Sequence, residues 1–150
     1  MSPSLVLALL IGIAAAWLFQ ERFRISPGGW IAPGVLATLV DTPLHLAWAA
    51  LAILAGWLVA RAVERLTLLD PTRREALILV TSLGTAFAFL ELTGTGLALD
   101  PAQTALLLIA PGLAGIHADR QGLPLTAASL AIVAGLVRLL LVAVWPESSP

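Results

Sequence analysis

The sequence predicts an all-α integral membrane protein: six apolar segments in two inverted three-segment repeats, each with a Pro-Gly-broken middle segment. Three observations predict it. The first is composition, with 59% of residues hydrophobic and only 11% charged. A soluble domain carries about 25% charged residues, so this chain lacks the polar surface to cover itself in water. The second is patterning. Leu5 to Phe19 has no charge on any face, and Leu44 to Val59 has only His45 as a titratable side chain, whereas a soluble amphipathic helix needs a polar outer face. The third is an internal repeat. Ile31-Ala32-Pro33-Gly34 recurs as Ile109-Ala110-Pro111-Gly112 about 78 residues on, and Leu51 to Gly56 returns as Leu130 to Gly135 about 79 residues on. Gly12, Ala14, Ala16 and Leu18 align in the same order on Gly84, Ala86, Ala88 and Leu90.

The first segment runs from about Leu5 to Phe19 and stops at Gln20-Glu21-Arg22. No Lys or Arg precedes Leu5, which sets it apart from a secretory signal peptide with its basic leading region. The second, Trp30 to Val40, is interrupted by Pro33-Gly34. The third, Leu44 to Val63, ends in the charged stretch from Arg61 to Glu75. The fourth is Ala76 to Leu92, closed by Gly94-Thr95-Gly96. The fifth, Thr104 to Ile116, is interrupted by Pro111-Gly112, and the sixth is Leu125 to Val144, followed by Trp145-Pro146. Residues 1–150 thus read as one transmembrane domain, with repeat one at about 3–66, an arginine-rich loop at about 61–75 and repeat two at about 74–145.

A helix needs about 20 apolar residues to cross a hydrocarbon core about 30 Å thick. The four long segments approach that length. The middle two, with roughly 11 to 13 apolar residues each, fall short as straight isolated helices. A Pro inside a helix removes an N–H and disturbs the preceding turn. Polar backbone freed at membrane depth must be satisfied by protein or by water in a cavity. The middle segments are therefore expected to be enclosed by the other four.

Orientation follows from the arginines. If every segment crosses, Arg22, Arg24, Arg61, Arg65, Arg73, Arg74 and Arg120 fall on one side, the cytoplasm, and both termini lie outside. If the broken segments are re-entrant, the same residues divide between two faces. The charge distribution favours six crossings, with Gly28 and Gln121 cytoplasmic and Asp41 outside. An odd number of crossings per half makes the halves inverted repeats.

The net charge of −1 points to no nucleic-acid partner, and the absence of cysteine removes disulfide and thiolate chemistry. The chain has no phosphate-binding Gly-x-x-x-x-Gly-Lys loop, no His-Glu-x-x-His metal pair and no Gly-x-Ser-x-Gly nucleophile turn. No catalytic residue, metal ligand or bound cofactor is expected on this chain.

Ile25-Ser26-Pro27-Gly28-Gly29-Trp30-Ile31-Ala32-Pro33-Gly34 resembles the G-I-x-P-x-G-x-x-x-P-G stretch of the PgsC/CapC family, the small membrane subunit of bacterial poly-γ-glutamate synthase. Leu108 to Ala114, followed by Asp119-Arg120-Gln121-Gly122-Leu123, is similar to that family's I-V-P-G-L-I-A … Q-R-Q-G-L signature. Arg73-Arg74-Glu75-Ala76 resembles its central R-R-K-x-A loop. Two positions depart: Asp119 stands where the family has Gln, and Glu75 where it has a basic residue. The resemblance implies a role in making or exporting poly-γ-glutamate for a capsule. It also implies other synthase subunits, among them a cytoplasmic amide ligase that carries ATP and magnesium and performs the chemistry.

The candidate residues follow from both readings. Pro33, Gly34, Pro111 and Gly112 either permit close helix packing or mark where a substrate meets the bundle centre. Arg120, Gln121 and Gly122 form either a cytoplasmic anchor with a glycine turn or a polar collar that receives a polyanion or docks the ligase. Arg73 and Arg74 read first as topology determinants. Arg138 lies within the sixth segment and Glu91 near the outer end of the fourth; an intramembrane charge is a functional candidate by default. Arg138 either pairs with Glu91, snorkels to the interface or lines a polymer path. A self-sufficient small transporter and a structural anchor stay open as alternative functions.

Overall fold

Proline and glycine set the helix boundaries of this chain. The computed structural model describes residues 3–40, 42–94 and 101–144, and the regular structure among them is helical. The six helices are α1 (Pro3–Phe23), α2 (Ala32–Leu39), α3 (Pro43–Glu64), α4 (Pro71–Thr93), α5 (Pro101–Gln121) and α6 (Leu123–Val144). Pro33, Pro43 and Pro71 occupy the first turns of α2, α3 and α4, where a missing N–H breaks no helical bond. Asp70 caps α4 by accepting from the Thr72 N–H at 3.2 Å. Gly94 closes α4 in the left-handed region with φ 64°, and Gly122, at φ 98°, turns the chain from α5 into α6. Asp41, Thr95, Gly96 and Trp145 lie outside the described residues.

Five of these helices, all but α2, are long and apolar enough to cross a membrane. Their packing is that of a membrane bundle. The buried positions are dominated by Ala, with Gly and Ser between, while large apolar side chains such as Leu10, Trp17, Val80, Phe87, Ile132 and Leu139 face outward. Lipid tails are as apolar as Leu, so a bundle gains by close backbone approach at small residues. A Cβ added to Gly12 would meet the Gly34 Cα at 2.5 Å, and one added to Gly56 would meet the Ile78 carbonyl oxygen at 2.9 Å. Glycine alone fits these two crossings.

Two expectations about the middle segments are corrected. The fifth segment is not a short broken piece. It is a continuous 21-residue helix with Pro111 inside it, about 31 Å long at 1.5 Å per residue. Its polar last turn stays helical because Asp119, Arg120 and Gln121 all have partners on other elements. Nor does Pro33 interrupt a helix; it begins one. The backbone before it, residues 24–31, is non-helical, and α2 is only eight residues long. The expected enclosure is seen for the second segment and only in part for the fifth, where Ile109 is exposed. Nearly all of α2 is buried, and α5 packs against α2, α3, α4 and α6. One buried cluster unites Val35 and Leu36 of α2 with Ala110 and Ala114 of α5, Ala49 of α3 and Leu130 of α6.

The course of the chain follows from its contacts. The Trp30 indole donates to Gln20 Oε1 at 3.2 Å, Gly34 packs against Ala8 and Leu9, and Leu39 and Thr42 line one cavity with Leu5. From Trp30 to Thr42 the chain therefore runs back along α1, from its C-terminal to its N-terminal end. α4 then runs antiparallel to α3, with His45 against Phe89 at one end and Glu64 on Arg74 at the other.

Candidate functional site

At one end of the bundle the C-termini of α1, α3 and α5 meet the N-termini of α4 and α6. Every arginine except Arg138 lies at this end, and two carboxylates sort them into different environments. Asp119, only 10% exposed, accepts from Arg74 Nη2 at 2.6 Å, and Arg74, 18% exposed, also donates to Glu64 Oε1 at 2.7 Å. Arg61 stands 3.7 Å from both Asp119 and Glu64. Beside this partly buried network is a surface pair, in which Arg120 (61% exposed) donates to Glu75 through Nη2 and, at 3.1 Å, through Nε. The two pairs are reciprocal: neighbours Arg74 and Glu75 on α4 bind neighbours Asp119 and Arg120 on α5. Both residues that depart from the family pattern, Glu75 and Asp119, are thus partners of signature arginines. The adjacency of opposite charges at both places was the available sequence signal. Arg73 is exposed and has no ion-pair partner among the described residues.

Gln121 does something the sequence did not suggest. Its carboxamide grips the Ser26 backbone from both sides: the Ser26 N–H donates to Oε1 at 3.1 Å, and Nε2 donates to the Ser26 carbonyl. Nε2 also donates to Thr126 Oγ1 at 3.0 Å. The Ser26 hydroxyl accepts from the Gly29 N–H at 3.1 Å. Ser26, Pro27, Gly28 and Gly29 are all buried. A non-helical backbone can be buried only if its polar groups are paired, and Gln121 pairs the Ser26 N–H and C=O. Gly28 and Gly29, at φ 75° and 92°, fold this loop against Ala114 and His117. Gly122 supplies the turn that aims Gln121 at it. No local sequence pattern connects Ser26 with a glutamine 95 residues away.

Both Pro-Gly pairs are buried, on helices that share one buried cluster, but their glycines face different neighbours. Gly34 lies on α1 at Ala8 and Leu9, and Gly112 lies on α4 at Leu79. Both permit a close helix approach. Arg138 is not brought to this end. It is half-buried on α6, fifteen residues beyond the start of that helix. Glu91 is exposed on α4, and no ion pair joins it to Arg138 among the described residues.

Residues 11–127 match the family described as "Capsule biosynthesis CapC". The "Capsule biosynthesis protein CapC" of Bacillus anthracis is 29% identical over 143 residues, covering 87% of this chain and 89% of that protein. The "PGA biosynthesis protein CapC" of Bacillus subtilis (strain 168) is 27% identical over 143 residues with the same coverage. No solved structure matches. With most of its length matched, and with its signature arginines and glutamine meeting at one end of a membrane bundle, this chain belongs to the capsule biosynthesis CapC family.

Proposed function

We propose that the chain is a non-catalytic membrane subunit of a poly-γ-glutamate synthase. It docks a cytoplasmic ATP-dependent ligase on its arginine-bearing end and helps pass the anionic polymer into or through the bilayer. The observation that carries this reading is the gathering of all arginines but Arg138 at one end of a capsule-family bundle. Exposed Arg73 and the displaceable Arg120–Glu75 pair offer cations to an acidic partner there, while Arg74 is committed to the buried Asp119. In this reading ATP and magnesium sit on the ligase, other synthase subunits complete the complex, and this chain holds no cofactor. Its place is the plasma membrane, with the arginine-bearing end cytoplasmic and both termini outside.

The inverted arrangement belongs to the same proposal. Besides the sequence repeat, the packing pairs support it. Exchanging α1, α2 and α3 for α4, α5 and α6 turns α1·α2 into α4·α5, α3·α4 into α6·α1 and α3·α5 into α6·α2, all of which are observed contacts. A fold of this kind also suits a self-sufficient transporter, the second reading.

Co-expression of the cognate ligase with and without this chain tests the synthase role, with polymer yield as the readout. Yield should collapse without the chain and return with it; an undiminished yield would remove the proposal. Flux of glutamate oligomers into liposomes holding this protein alone would favour the transporter instead.

A further inference from the structure

A second polar feature lies at the end of the bundle opposite the arginines. A cavity of about 130 Å³ opens between the end of α2, the start of α3 and the first turns of α5, and its lining includes Thr38, Thr42, His45, Gln103 and Leu107. His45 and Leu107 also line a smaller void of about 20 Å³ beside Trp48, Phe89 and Pro111, enough for a single water. Several hydrogen-bonding groups in this region are unused. His45 Nε2 is buried without a hydrogen-bond partner. The Gln103 carboxamide has no hydrogen-bond partner among the described residues. Pro111 has no N–H to offer the Leu107 carbonyl four residues before it. The Thr38 and Thr42 hydroxyls donate back to the Val35 and Leu39 carbonyls at 2.7 and 3.1 Å, which leaves their oxygens free to accept.

Unused polar groups are costly within a membrane bundle, and here they gather around one cavity that opens at the end of the bundle. Among the described residues the cavity lining carries no Arg, Asp or Glu, and without an Arg it offers no cation to a carboxylate. It offers donors and acceptors side by side, the combination that pairs both the N–H and the C=O of an amide. We propose that this cavity is a binding site for secondary amides, the linkage repeated along a γ-linked glutamate chain. This rests on the polymer-handling reading above. One amide and its flanking methylenes occupy the cavity against Leu106 and Leu107, while the charged carboxylates stay at its mouth. Because His45, Gln103 and the Thr oxygens are interchangeable partners, successive amides can replace one another without a charge being stripped of water.

Trp48 stacks on Phe89 with ring centroids 4.7 Å apart, and both rings border the void that His45 lines. A variant keeping Trp48 as its only tryptophan therefore carries a reporter at the site. The full chain in lipid nanodiscs is titrated with a γ-linked glutamate trimer, with N-methylacetamide and with free glutamate, following Trp48 emission. A saturable change is expected with the trimer and, more weakly, with N-methylacetamide, and none with free glutamate. Gln103→Leu, at a partly exposed position, should weaken trimer binding about tenfold, the loss of roughly one hydrogen bond. His45→Phe should do the same. No saturable response to either amide, or an equal response in Gln103→Leu, overturns the proposal. Polymer yield separates the two readings. A yield that needs this chain but is unchanged by Gln103→Leu overturns the site and leaves the synthase role standing. A yield that does not need this chain overturns the synthase role, and the titration then decides the site alone.

Discussion

Removing the Gln121 carboxamide strands the N–H and C=O of Ser26 in a buried loop. A buried polar group left without its partner costs about 1–3 kcal/mol, so Gln121→Leu should lower stability by at least that much. Thermal unfolding in detergent would register it, with Gln121→Met as a size control that should fare no better. The arginines should separate in the same assay. Arg74→Ala takes its close partner from the largely buried Asp119 and leaves only Arg61 at 3.7 Å, at a cost of about 1–3 kcal/mol. Arg120→Ala breaks a surface pair worth about 0–1 kcal/mol and should barely move the unfolding midpoint. Function should rank them differently. Arg120→Ala should reduce ligase association or polymer yield, whereas Glu75→Gln frees the Arg120 guanidinium and should raise association by roughly twofold to fivefold, the worth of that pair. Co-purification with the ligase measures both. A loss of association in Glu75→Gln would show that the pair, not the free cation, serves the partner.

Among the elements, α1 and α2 depend most on one contact. Gly12→Ala places a Cβ at 2.5 Å from the Gly34 Cα, an overpacking that costs about 1–3 kcal/mol. The aligned Gly84 has nothing within 4 Å of the same added atom, and Gly84→Ala should stay within about 0.5 kcal/mol. Parallel melts of the two variants check this; equal losses would mean that α1 and α2 do not pack as described. This contrast also marks what the sequence could convey. Apolar runs located all six helices, because each side chain reports its own affinity for lipid. They did not convey that α5 continues past Ile116, since hydropathy counts Asp119 and Gln121 as polar whether or not Arg74 and Ser26 are beside them. The enclosure of the second segment was legible from its Pro residue and its short apolar run. The Ser26–Gln121 clamp was not, because nothing local ties positions so distant in the chain.

For the whole molecule, the path of residues 24–42 decides the functional argument. If this stretch passes from the arginine-bearing end back to the start of α1, every arginine but Arg138 shares one face, and that face is the cytoplasmic docking surface. The polar cavity with His45 and Gln103 then opens towards the outside, at the far end of any polymer path. The native chain has no cysteine, so single-cysteine labelling reads this directly in intact cells. Thr67 is exposed in the turn between α3 and α4, and Thr42 is exposed just before α3. With a membrane-impermeant maleimide, Thr42→Cys should label from outside, and Thr67→Cys should label only after the cells are opened. Glu21→Cys, at an exposed position near the end of α1, should behave as Thr67→Cys does. If it labels from outside together with Thr42→Cys, the return of the chain through α2 is wrong, and with it the arginine-bearing face on which the function rests.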